Sequence, residues 1–391
     1  MTRPGNQRLE QRLASEASRE QAQNLARTCP PIERQTSIRY SLHQRPVVSF
    51  CSNDYLGFAD DLGQAELEHD RAQAGAGASR LVCGDLDAHR ETEQAFAEFL
   101  GLPDAVLFPS GFQANVGVPA CLLRAGDLAS SDELNHASMI DGLRLAPAER
   151  RIVPHCARPA TEDLGDGLHW WFTESVFSMD GDGPSLADLD GHLRAGGCLY
   201  LDEAHALGLH AQGGGRAAAM RELPTLVVAP LGKAFGCAGA IVAGSSRVCD
   251  WIRAHARSFV FTTGVSPVLL PRIDRALALV RGPRGELRRA KLWHNVEVLR
   301  RALGLEPVEL FSPILPLIIG ANHDALELSR SLLERGWHVQ AIRPPTVPEG
   351  SARLRITVSA MHEQDELERF ASDLLECRAG ATSPAREAGL R

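Results

Sequence analysis

Two apolar runs of the chain end in residues that could do chemistry. The run CLYLD ends at Asp202, with His205 three residues later, and the run LVVAP leads into Lys233. Both runs are typical of buried parallel strands, and ligands of open α/β sheets bind at the carboxyl ends of such strands. Lys233 lies among small and apolar residues, GKAFGCAGAIVAG, where burial favours the neutral amine that attacks carbonyl groups. A solvated lysine on a turn is the alternative interpretation.

Together, Asp202 and Lys233 predict a site for pyridoxal 5'-phosphate. This cofactor requires an imine-forming lysine and an acidic partner for its ring nitrogen, and we expect His205 to contact the ring oxygen. The letters DEAH at Asp202–His205 also occur in certain helicases. An ATPase of that kind needs an upstream GxxxxGK[ST] loop, which the chain lacks, so we disfavour that interpretation.

The phosphate group of such a cofactor needs an anion site, and the segment AVLFPSGFQAN offers one. It is typical of a strand, a turn at Ser110 and Gly111, and a helix that begins at about Phe112. Free amides at a helix N-terminus favour anions. Taken alone, the turn could be no more than a connection between two elements.

Two further side chains could contact the cofactor ring. His136, in DELNHAS, lies between apolar stretches, where an imidazole can stack on a flat ring and exchange protons near neutral pH. A histidine in the core is the alternative, and it is the commoner case for an isolated histidine. Ser178, in FTESVFSMDGD, can form hydrogen bonds with ring substituents.

Arginines near the C-terminus predict a carboxylate site. Arg353 and Arg355 in RLRIT share one side of a predicted strand, because side chains alternate along a strand. Arginine binds carboxylates through paired hydrogen bonds, but an exposed strand face is the alternative. Arg343 precedes Pro344 and Pro345, which hold it in a stiff extended segment that either fixes the guanidinium or merely ends a strand.

The elements that must position these residues are those of an α/β fold. From about residue 46, short apolar runs alternate with helical patterns and glycine turns, which predicts a mainly parallel sheet with crossover helices. A helix capped by Asp87 should end at Gly101. The predicted strands are residues 105–108, 170–173, 198–201, 226–229, 240–243 and 259–262.

The same patterns predict four segments. Residues 1–45 form an N-terminal helical arm with a helix at 7–27, residues 46–275 a large cofactor-binding domain, residues 276–378 a smaller C-terminal α/β domain, and residues 379–391 a disordered tail. Within the small domain we expect helices at 286–303 and 364–377, and strands at 314–319, 337–342 and 353–358.

Composition excludes several classes of protein. The chain has 41 basic and 49 acidic residues and a net charge of -8, so it lacks the cationic surface of a nucleic-acid-binding protein. Its 9 cysteines are odd in number and never spaced as CxxC, which argues against a disulfide framework and a metal site. The chain contains no run of about 18 apolar residues, which is the length that a membrane-spanning helix needs. We therefore expect a cytoplasmic enzyme.

Eight segments carry a resemblance to a known family. They are FCSNDYLG, GAGASRLVCG, FPSGFQAN, NHASMIDG, ESVFSMDGD, LDEAHALG, LGKAFGCAGA and FTTGVSP. Over residues 46–377 the chain resembles the α-oxoamine synthases, which are fold-type I pyridoxal-phosphate enzymes. The resemblance implies a large, mainly parallel seven-stranded sheet with helices on both faces, and a smaller C-terminal α/β domain.

The segment AIRPPTVPEGSARLRIT resembles one branch of that family. Its members condense L-alanine with a pimeloyl thioester and release carbon dioxide in biotin biosynthesis. A sibling synthase that uses glycine or serine with another acyl group is the nearest alternative, followed by an aminotransferase. A non-catalytic cofactor-binding protein is disfavoured by the intact set Lys233, Asp202, His205 and His136. The sequence does not determine whether coenzyme A or an acyl carrier protein carries the acyl group.

The resemblance also implies roles for individual residues. The catalytic residues are Lys233 and His136. The implied cofactor contacts are Gly111 and Phe112 at the phosphate, His136 stacked on the ring, Ser178, Asp202 at the ring nitrogen, His205 at the ring oxygen, Lys233 as the Schiff-base lysine, and Thr262 and Thr263 reaching the neighbouring subunit's phosphate. The implied substrate contacts are Asn53 and Arg355 at the amino-acid carboxylate, with Arg27, Arg343 and Thr346 at the acyl substrate. A homodimer with shared sites follows.

One position departs from the family pattern. Three residues before the lysine, the family usually has a threonine or serine that bonds the phosphate, whereas this chain has Pro230. Proline offers neither a hydroxyl nor an amide hydrogen. We therefore expect weaker cofactor binding.

Overall fold

The computed structural model describes residues 4–64, 73–306, 308 and 312–381. The chain divides into two compact units. The large unit comprises Asn53–Trp293 and Leu310–Ser312, and the small unit comprises Met1–Ser52, His294–Glu309 and Pro313–Arg391. Residues 276–293 thus cluster with the large unit, and residues 46–52 with the small one.

The strands of the described residues are numbered in chain order. They are β1 (Ile32–Arg34), β2 (Arg39–Leu42), β3 (Arg45–Ser49), β4 (Asp104–Phe108), β5 (Leu128–Asp132), β6 (Glu149–Val153), β7 (His169–Glu174), β8 (Cys198–Asp202), β9 (Leu226–Pro230), β10 (Ala240–Gly244), β11 (Ile314–Gly320), β12 (Trp337–His338), β13 (Gln340–Ile342) and β14 (Ala352–Thr357).

The α-helices are numbered in the same way. They are α1 (Pro4–Ala22), α2 (Phe58–Gln64), α3 (Asp87–Leu100), α4 (Gly111–Leu122), α5 (Ala137–Leu145), α6 (Leu186–Arg194), α7 (Ser246–His255), α8 (Arg257–Val260), α9 (Leu270–Arg281), α10 (Pro283–Ala302), α11 (Asn322–Glu334) and α12 (Gln364–Ala381).

The large unit is built on a 7-stranded sheet of order β4-β10-β9-β8-β7-β5-β6. Strand β10 is antiparallel to both of its neighbours, and the remaining pairs are parallel. The carboxyl ends of β5, β7, β8 and β9 therefore lie at one edge, where open α/β sheets bind ligands. The predicted fold class, a mainly parallel sheet of seven strands with helices, is confirmed.

The apolar pattern predicted most of this sheet. The strands predicted at 105–108, 170–173, 198–201, 226–229 and 240–243 are confirmed as β4, β7, β8, β9 and β10. The strand predicted at 259–262 is wrong, because Arg257–Val260 form a short helix with Phe259 packed in the core. Periodicity alone does not distinguish a short apolar strand from a turn of buried helix.

Two strands of this large sheet have no apolar signature and were not predicted. Strand β5, LASSD, is buried, and its Ser130 hydroxyl lies 2.8 Å from His169 Nε2. Strand β6, ERRIV, is an exposed edge strand, so charged side chains are tolerated on it. Both strands are specified by their neighbours in the sheet rather than by their own composition.

The small unit contains two sheets, of order β1-β2-β3-β12 and β11-β14-β13. The predicted helices at 286–303 and 364–377 are confirmed as α10 and α12, and the predicted strands at 314–319 and 353–358 as β11 and β14. The strand predicted at 337–342 is two short strands that join different sheets. Helix α12 continues through residue 381, and the rest of the predicted tail, residues 382–391, lies outside the described residues.

Helix α1 corresponds to the predicted N-terminal helix, with its end five residues earlier than expected. Its described side chains are exposed, including Leu9 and Leu13. Among the described helices, none is long and apolar enough to cross a membrane.

Candidate active site

Asp202 ends strand β8 and is only 3% exposed. Its Oδ2 accepts a hydrogen bond from Asn115 Nδ2 at 2.8 Å, and its Oδ1 accepts one from the Ala204 amide at 2.9 Å. Buried carboxylates need such partners because desolvation is costly. The two bonds fix the orientation of the carboxylate at the ligand-binding edge of the sheet.

Asn115 organises the side chains behind Asp202. Its Oδ1 accepts a hydrogen bond from the Tyr200 hydroxyl at 2.8 Å, and its Nδ2 also donates to Ser138 Oγ at 3.1 Å. Burial, together with the charge of Asp202, raises the pKa of Tyr200 well above its usual value, so the phenol remains a donor. Sequence reasoning missed Asn115, although its place one helical turn after Gly111 was a usable signal.

Lys233 lies in the turn between β9 and β10 and is half-buried. The turn is closed by hydrogen bonds from the Gly236 amide to the Lys233 carbonyl at 2.8 Å and from the Cys237 amide to the Leu231 carbonyl at 3.0 Å. Gly236 has a φ of 62°, which favours glycine. Lys233 and Lys291 are the only lysines of the chain.

His136 caps helix α5. Its Nδ1 lies 2.7 Å from Ser138 Oγ, and its backbone amide donates to Glu174 Oε1 at 2.7 Å. The residue is exposed, so it is not a core histidine. Desolvation by surrounding protein nevertheless lowers the pKa of His136, opposed by Asp202 and reinforced by Lys233. A neutral imidazole is therefore favoured beside these two groups.

Glu174 is a second buried carboxyl group at this edge, and sequence reasoning missed it. It ends β7 directly beside Asp202 of β8 in the strand register and is 3% exposed. Burial and the charge of Asp202 raise the pKa of Glu174 well above its usual value, with the hydrogen bond from His136 and the charge of Lys233 opposing them. Its position at a strand end next to Asp202 was the available signal.

His205, Tyr55 and Asn53 form a connected group in the large unit. The Tyr55 hydroxyl oxygen lies 2.7 Å from His205 Nδ1 and 3.2 Å from Asn53 Oδ1. His205 and Tyr55 are buried, at 4% and 0% exposure. The structure thus links Asn53 to the loop that follows β8, and Tyr55 is a further residue that sequence reasoning missed.

The predicted anion site lies at the N-terminus of helix α4. Ser110 caps the helix, with its Oγ accepting a hydrogen bond from the Gln113 amide at 3.2 Å. A side chain at Gly111 would place its Cβ 2.6 Å from the Pro230 ring, so glycine is required there. Phe112, which begins the exposed side of the helix, is 52% exposed.

Three further predicted cofactor contacts lie on loops of the large unit. Ser178 follows β7 in a turn closed by the Phe177 amide, which donates to the Asp182 carbonyl at 2.8 Å. Thr262 Oγ1 lies 3.5 Å from Gln113 Nε2 of the same chain. Thr263 is exposed.

The predicted acyl-substrate residues come together within the small unit. Arg27 Nη2 donates to Thr346 Oγ1 at 3.0 Å. The Arg343 guanidinium donates to the carbonyls of Asn24 and Ala26. Desolvation and the nearby Arg27 lower the pKa of Arg343. Two adjacent guanidinium groups favour an anionic partner.

Arg353 and Arg355 lie on strand β14 and are 4% and 7% exposed. The alternative of an exposed strand face is therefore wrong. Arg355 stands opposite Pro316 of β11 and Gln340 of β13, in the centre of the sheet. Buried guanidinium groups are retained where they are paired or bind ligands.

Comparison with known proteins identifies the family. The aminotransferase class I and II family matches residues 45–374. The chain belongs to the class I and II aminotransferase family. A relative in this family, the 8-amino-7-oxononanoate synthase of Methylococcus capsulatus, is 43% identical over 366 residues, which cover 90% of this chain and 93% of the relative. The expected resemblance is thereby confirmed.

Two solved structures agree with the fold. The 8-amino-7-oxononanoate synthase of Francisella tularensis matches with a TM-score of 0.71 and 27% identity, over 86% of this chain and 99% of that chain. A serine palmitoyltransferase from S. paucimobilis, with bound PLP and myriocin, matches with a TM-score of 0.83 and 22% identity, over 94% of this chain and 97% of that chain. The second likeness concerns the fold alone.

Proposed function

We propose that this protein condenses L-alanine with a pimeloyl thioester to give 8-amino-7-oxononanoate, carbon dioxide and the free thiol carrier, with pyridoxal 5'-phosphate as cofactor. The observation that carries the proposal is that Asp202 is buried and hydrogen-bonded beside the turn that follows β9 and contains Lys233. The chain is also similar to synthases of that name. The step belongs to biotin biosynthesis.

The described residues fit the proposed cofactor. Asp202 offers an oriented carboxylate for a protonated ring nitrogen, and the Gly111 and Phe112 amides, which begin α4, would donate to a phosphate at the helix N-terminus. The chain residues that would hold the cofactor are Gly111, Phe112, His136, Ser178, Asp202, His205, Lys233, Thr262 and Thr263. Residues 46–275 would thus form the cofactor-binding domain.

The chain's own groups supply the proton transfers. When bound, the cofactor supplies an electron sink for the carbanion at the amino-acid α-carbon. The Lys233 amine removes the α-proton of L-alanine, while the Asp202 carboxylate keeps the proton on the ring nitrogen. His136 protonates the carbonyl oxygen during loss of carbon dioxide. Its lowered pKa makes the protonated imidazole a stronger acid, so the ring gives up that proton readily and returns to the neutral form.

The proposed contacts to the alanine carboxylate rest on the family resemblance, and those to the acyl substrate also rest on contacts within the small unit. Asn53 and Arg355 would hold the alanine carboxylate. Arg27, Arg343 and Thr346 would bind the acyl substrate, since Arg27 already bonds Thr346 and lies beside Arg343. The carrier is coenzyme A or an acyl carrier protein. We further propose a cytoplasmic homodimer with shared sites, in which Thr262 and Thr263 reach the partner's phosphate.

The test is a reaction with defined substrates. Purified protein is reconstituted with cofactor, and its visible absorption is recorded before and after addition of L-alanine. Pimeloyl thioester is then added, and the mass of the product is measured. A band that alanine perturbs, followed by carbon dioxide and 8-amino-7-oxononanoate, is expected. A band without that product would move the assignment to a sibling synthase, and the absence of any band would refute the cofactor.

His136→Phe is expected to retain the cofactor and to lower kcat about a hundredfold, at the lower end of the contribution of general acid–base groups. The phenyl ring still stacks but carries no proton. Cofactor titration and steady-state kinetics measure the two effects. His294→Phe, at an exposed histidine of α10, is the control, and a wild-type kcat in His136→Phe would contradict the proton-transfer role.

Pro230→Thr is expected to bind the cofactor roughly tenfold or more tightly than wild type, because a charge-assisted hydrogen bond contributes about 1.5–3 kcal/mol. Pro230 packs against Gly111, which places position 230 beside the first amides of α4. Titration of apoenzyme with cofactor measures the affinity. Pro230→Ala removes the ring without adding a hydroxyl, so equal affinities of the alanine and threonine variants would contradict the prediction.

A further inference from the structure

His155 bridges two carboxylates at the ligand-binding edge of the sheet. Its Nδ1 lies 3.0 Å from Asp132 Oδ1, and its Nε2 lies 3.1 Å and 3.2 Å from the two oxygens of Asp182. Asp132 ends β5 and is fully buried, whereas Asp182 follows β7 and is exposed. One imidazole ring thus joins loops that follow two neighbouring strands.

Asp132, the first partner of His155, begins the turn that contains His136. Asp132 Oδ1 also accepts a hydrogen bond from the Leu134 amide at 2.8 Å, and the Asp132 carbonyl accepts one from the Asn135 amide at 3.3 Å. Asn135 in turn donates to the Phe172 carbonyl of β7 at 2.8 Å. The turn of residues 132–136, which we call the histidine turn, is therefore held through Asp132.

Asp182, the second partner of His155, belongs to the same turn as Ser178. The Phe177 amide donates to the Asp182 carbonyl at 2.8 Å, and the Gly181 amide donates to the Phe177 carbonyl at 2.9 Å. The Phe177 ring meets the His155 ring edge to face, with centroids 4.5 Å apart. Residues 177–182, the serine turn, therefore form a closed unit that contacts His155 through both Phe177 and Asp182.

The bridge is electrostatic as well as geometric. Burial lowers the pKa of His155, but hydrogen bonds to Asp132 and Asp182 outweigh it and raise the pKa to about 12. The ring is then a cation between two anions near neutral pH, and hydrogen bonds between charged groups are about twice as strong as neutral ones.

We propose that His155 is a positioning residue, which holds the histidine turn and the serine turn in fixed relation by bonding Asp132 and Asp182 at once. This inference rests on the proposed function, because His136 and Ser178 are the proposed cofactor contacts. Neither His155 nor its two partners needs to touch the cofactor. Active sites require such support, since small displacements of contact residues weaken binding and catalysis.

A metal site is the competing use of these residues. Asp132, His155 and Cys156 offer ligand atoms within 4.8 Å of one another. Both ring nitrogens of His155 are, however, already bonded to carboxylates, and Asp132 Oδ2 accepts the Cys156 amide at 2.6 Å. Burial also raises the pKa of the Cys156 thiol, whereas metal ligands must lose their protons.

The experiment compares His155→Gln, Asp182→Asn and the control His294→Gln, at an exposed histidine of α10, with the wild-type full chain. Hydrogen exchange of peptides covering the two turns is measured with and without cofactor, because the cofactor-free exchange tests the bridge independently of the proposed function. Loss of a charge-assisted bond should speed exchange in both turns roughly tenfold to a hundredfold. Exchange in β8 and β9 should stay unchanged, which separates local positioning from general destabilisation.

The functional readouts are cofactor affinity and the circular dichroism induced in the bound cofactor. Both should fall in His155→Gln and Asp182→Asn, by roughly tenfold in affinity, and should match wild type in His294→Gln. Unchanged exchange in both turns, or changed exchange with wild-type affinity and dichroism, would overturn the proposal. Zinc chloride binding that His155→Gln and Cys156→Ser both abolish would also overturn it in favour of a metal site.

Discussion

Lys233→Ala is expected to lower kcat by on the order of ten-thousandfold, the upper end of the contribution of a general base. The variant loses both the amine that bonds the cofactor covalently and the base that takes the alanine α-proton. Cofactor still binds through Asp202 and the start of α4, but with a shifted absorption band. Steady-state kinetics and the spectrum of the reconstituted variant measure these effects.

The composition of the chain makes the lysine assignment unusually testable. Lys233 and Lys291 are its only lysines, so borohydride reduction of the holoenzyme can attach cofactor to just two side chains. Peptide mass spectrometry should find the label on Lys233, and Lys291→Arg, in helix α10, should label and turn over like wild type. A label on Lys291 would refute the proposed site.

Asp202→Asn is expected to lower kcat about a hundredfold to a thousandfold, similar to the loss of one preorganised electrostatic contact. The neutral amide no longer stabilises the positive charge of a protonated ring nitrogen, so the electron sink weakens. The substitution also places an NH₂ group opposite Asn115 Nδ2, whose hydrogen bond Asp202 accepts in the wild type. Two donors would then face each other. Kinetics and cofactor titration measure both consequences.

The matched control for Asp202→Asn is Asp127→Asn. Asp127 is 7% exposed and precedes β5, so it lies at the amino end of that strand. Its oxygens accept hydrogen bonds from the amides of Arg124 and Leu168. Asp127→Asn should lower stability and leave the bound-cofactor spectrum unchanged. Equal kinetic losses in both variants would show that burial, rather than position, accounts for the effect.

The strands of the large sheet were predictable where their own residues form an apolar run. Strands β4, β7, β8, β9 and β10 carry their own signal, because strands buried on both faces of a sheet need nearly continuous apolar residues. Strands β5 and β6 do not. The serines of β5 are stabilised by partners such as His169, and the charges of β6 are tolerated at an exposed edge. Such neighbours are distant in sequence, so no local pattern reports them.

The residues of the candidate site were likewise predictable only in part. Asp202, His205 and Lys233 were readable because they follow strands whose carboxyl ends must meet at one edge. Asn115, Glu174 and Tyr55 were missed, because at most their positions were readable and their roles lie in hydrogen bonds to Asp202, His136 and His205. The partners of His155 were hidden for the same reason.

The sequence by itself determined the fold class, the strand ends that carry Asp202 and Lys233, and the cofactor chemistry that this pair suggests. Alternating apolar runs and the residues that follow them are local properties. Only the tertiary structure decided how Asn115 orients Asp202, why Glu174 has a raised pKa beside it, and that His155 joins two turns. Burial and hydrogen bonding between distant segments exist only once the chain has folded.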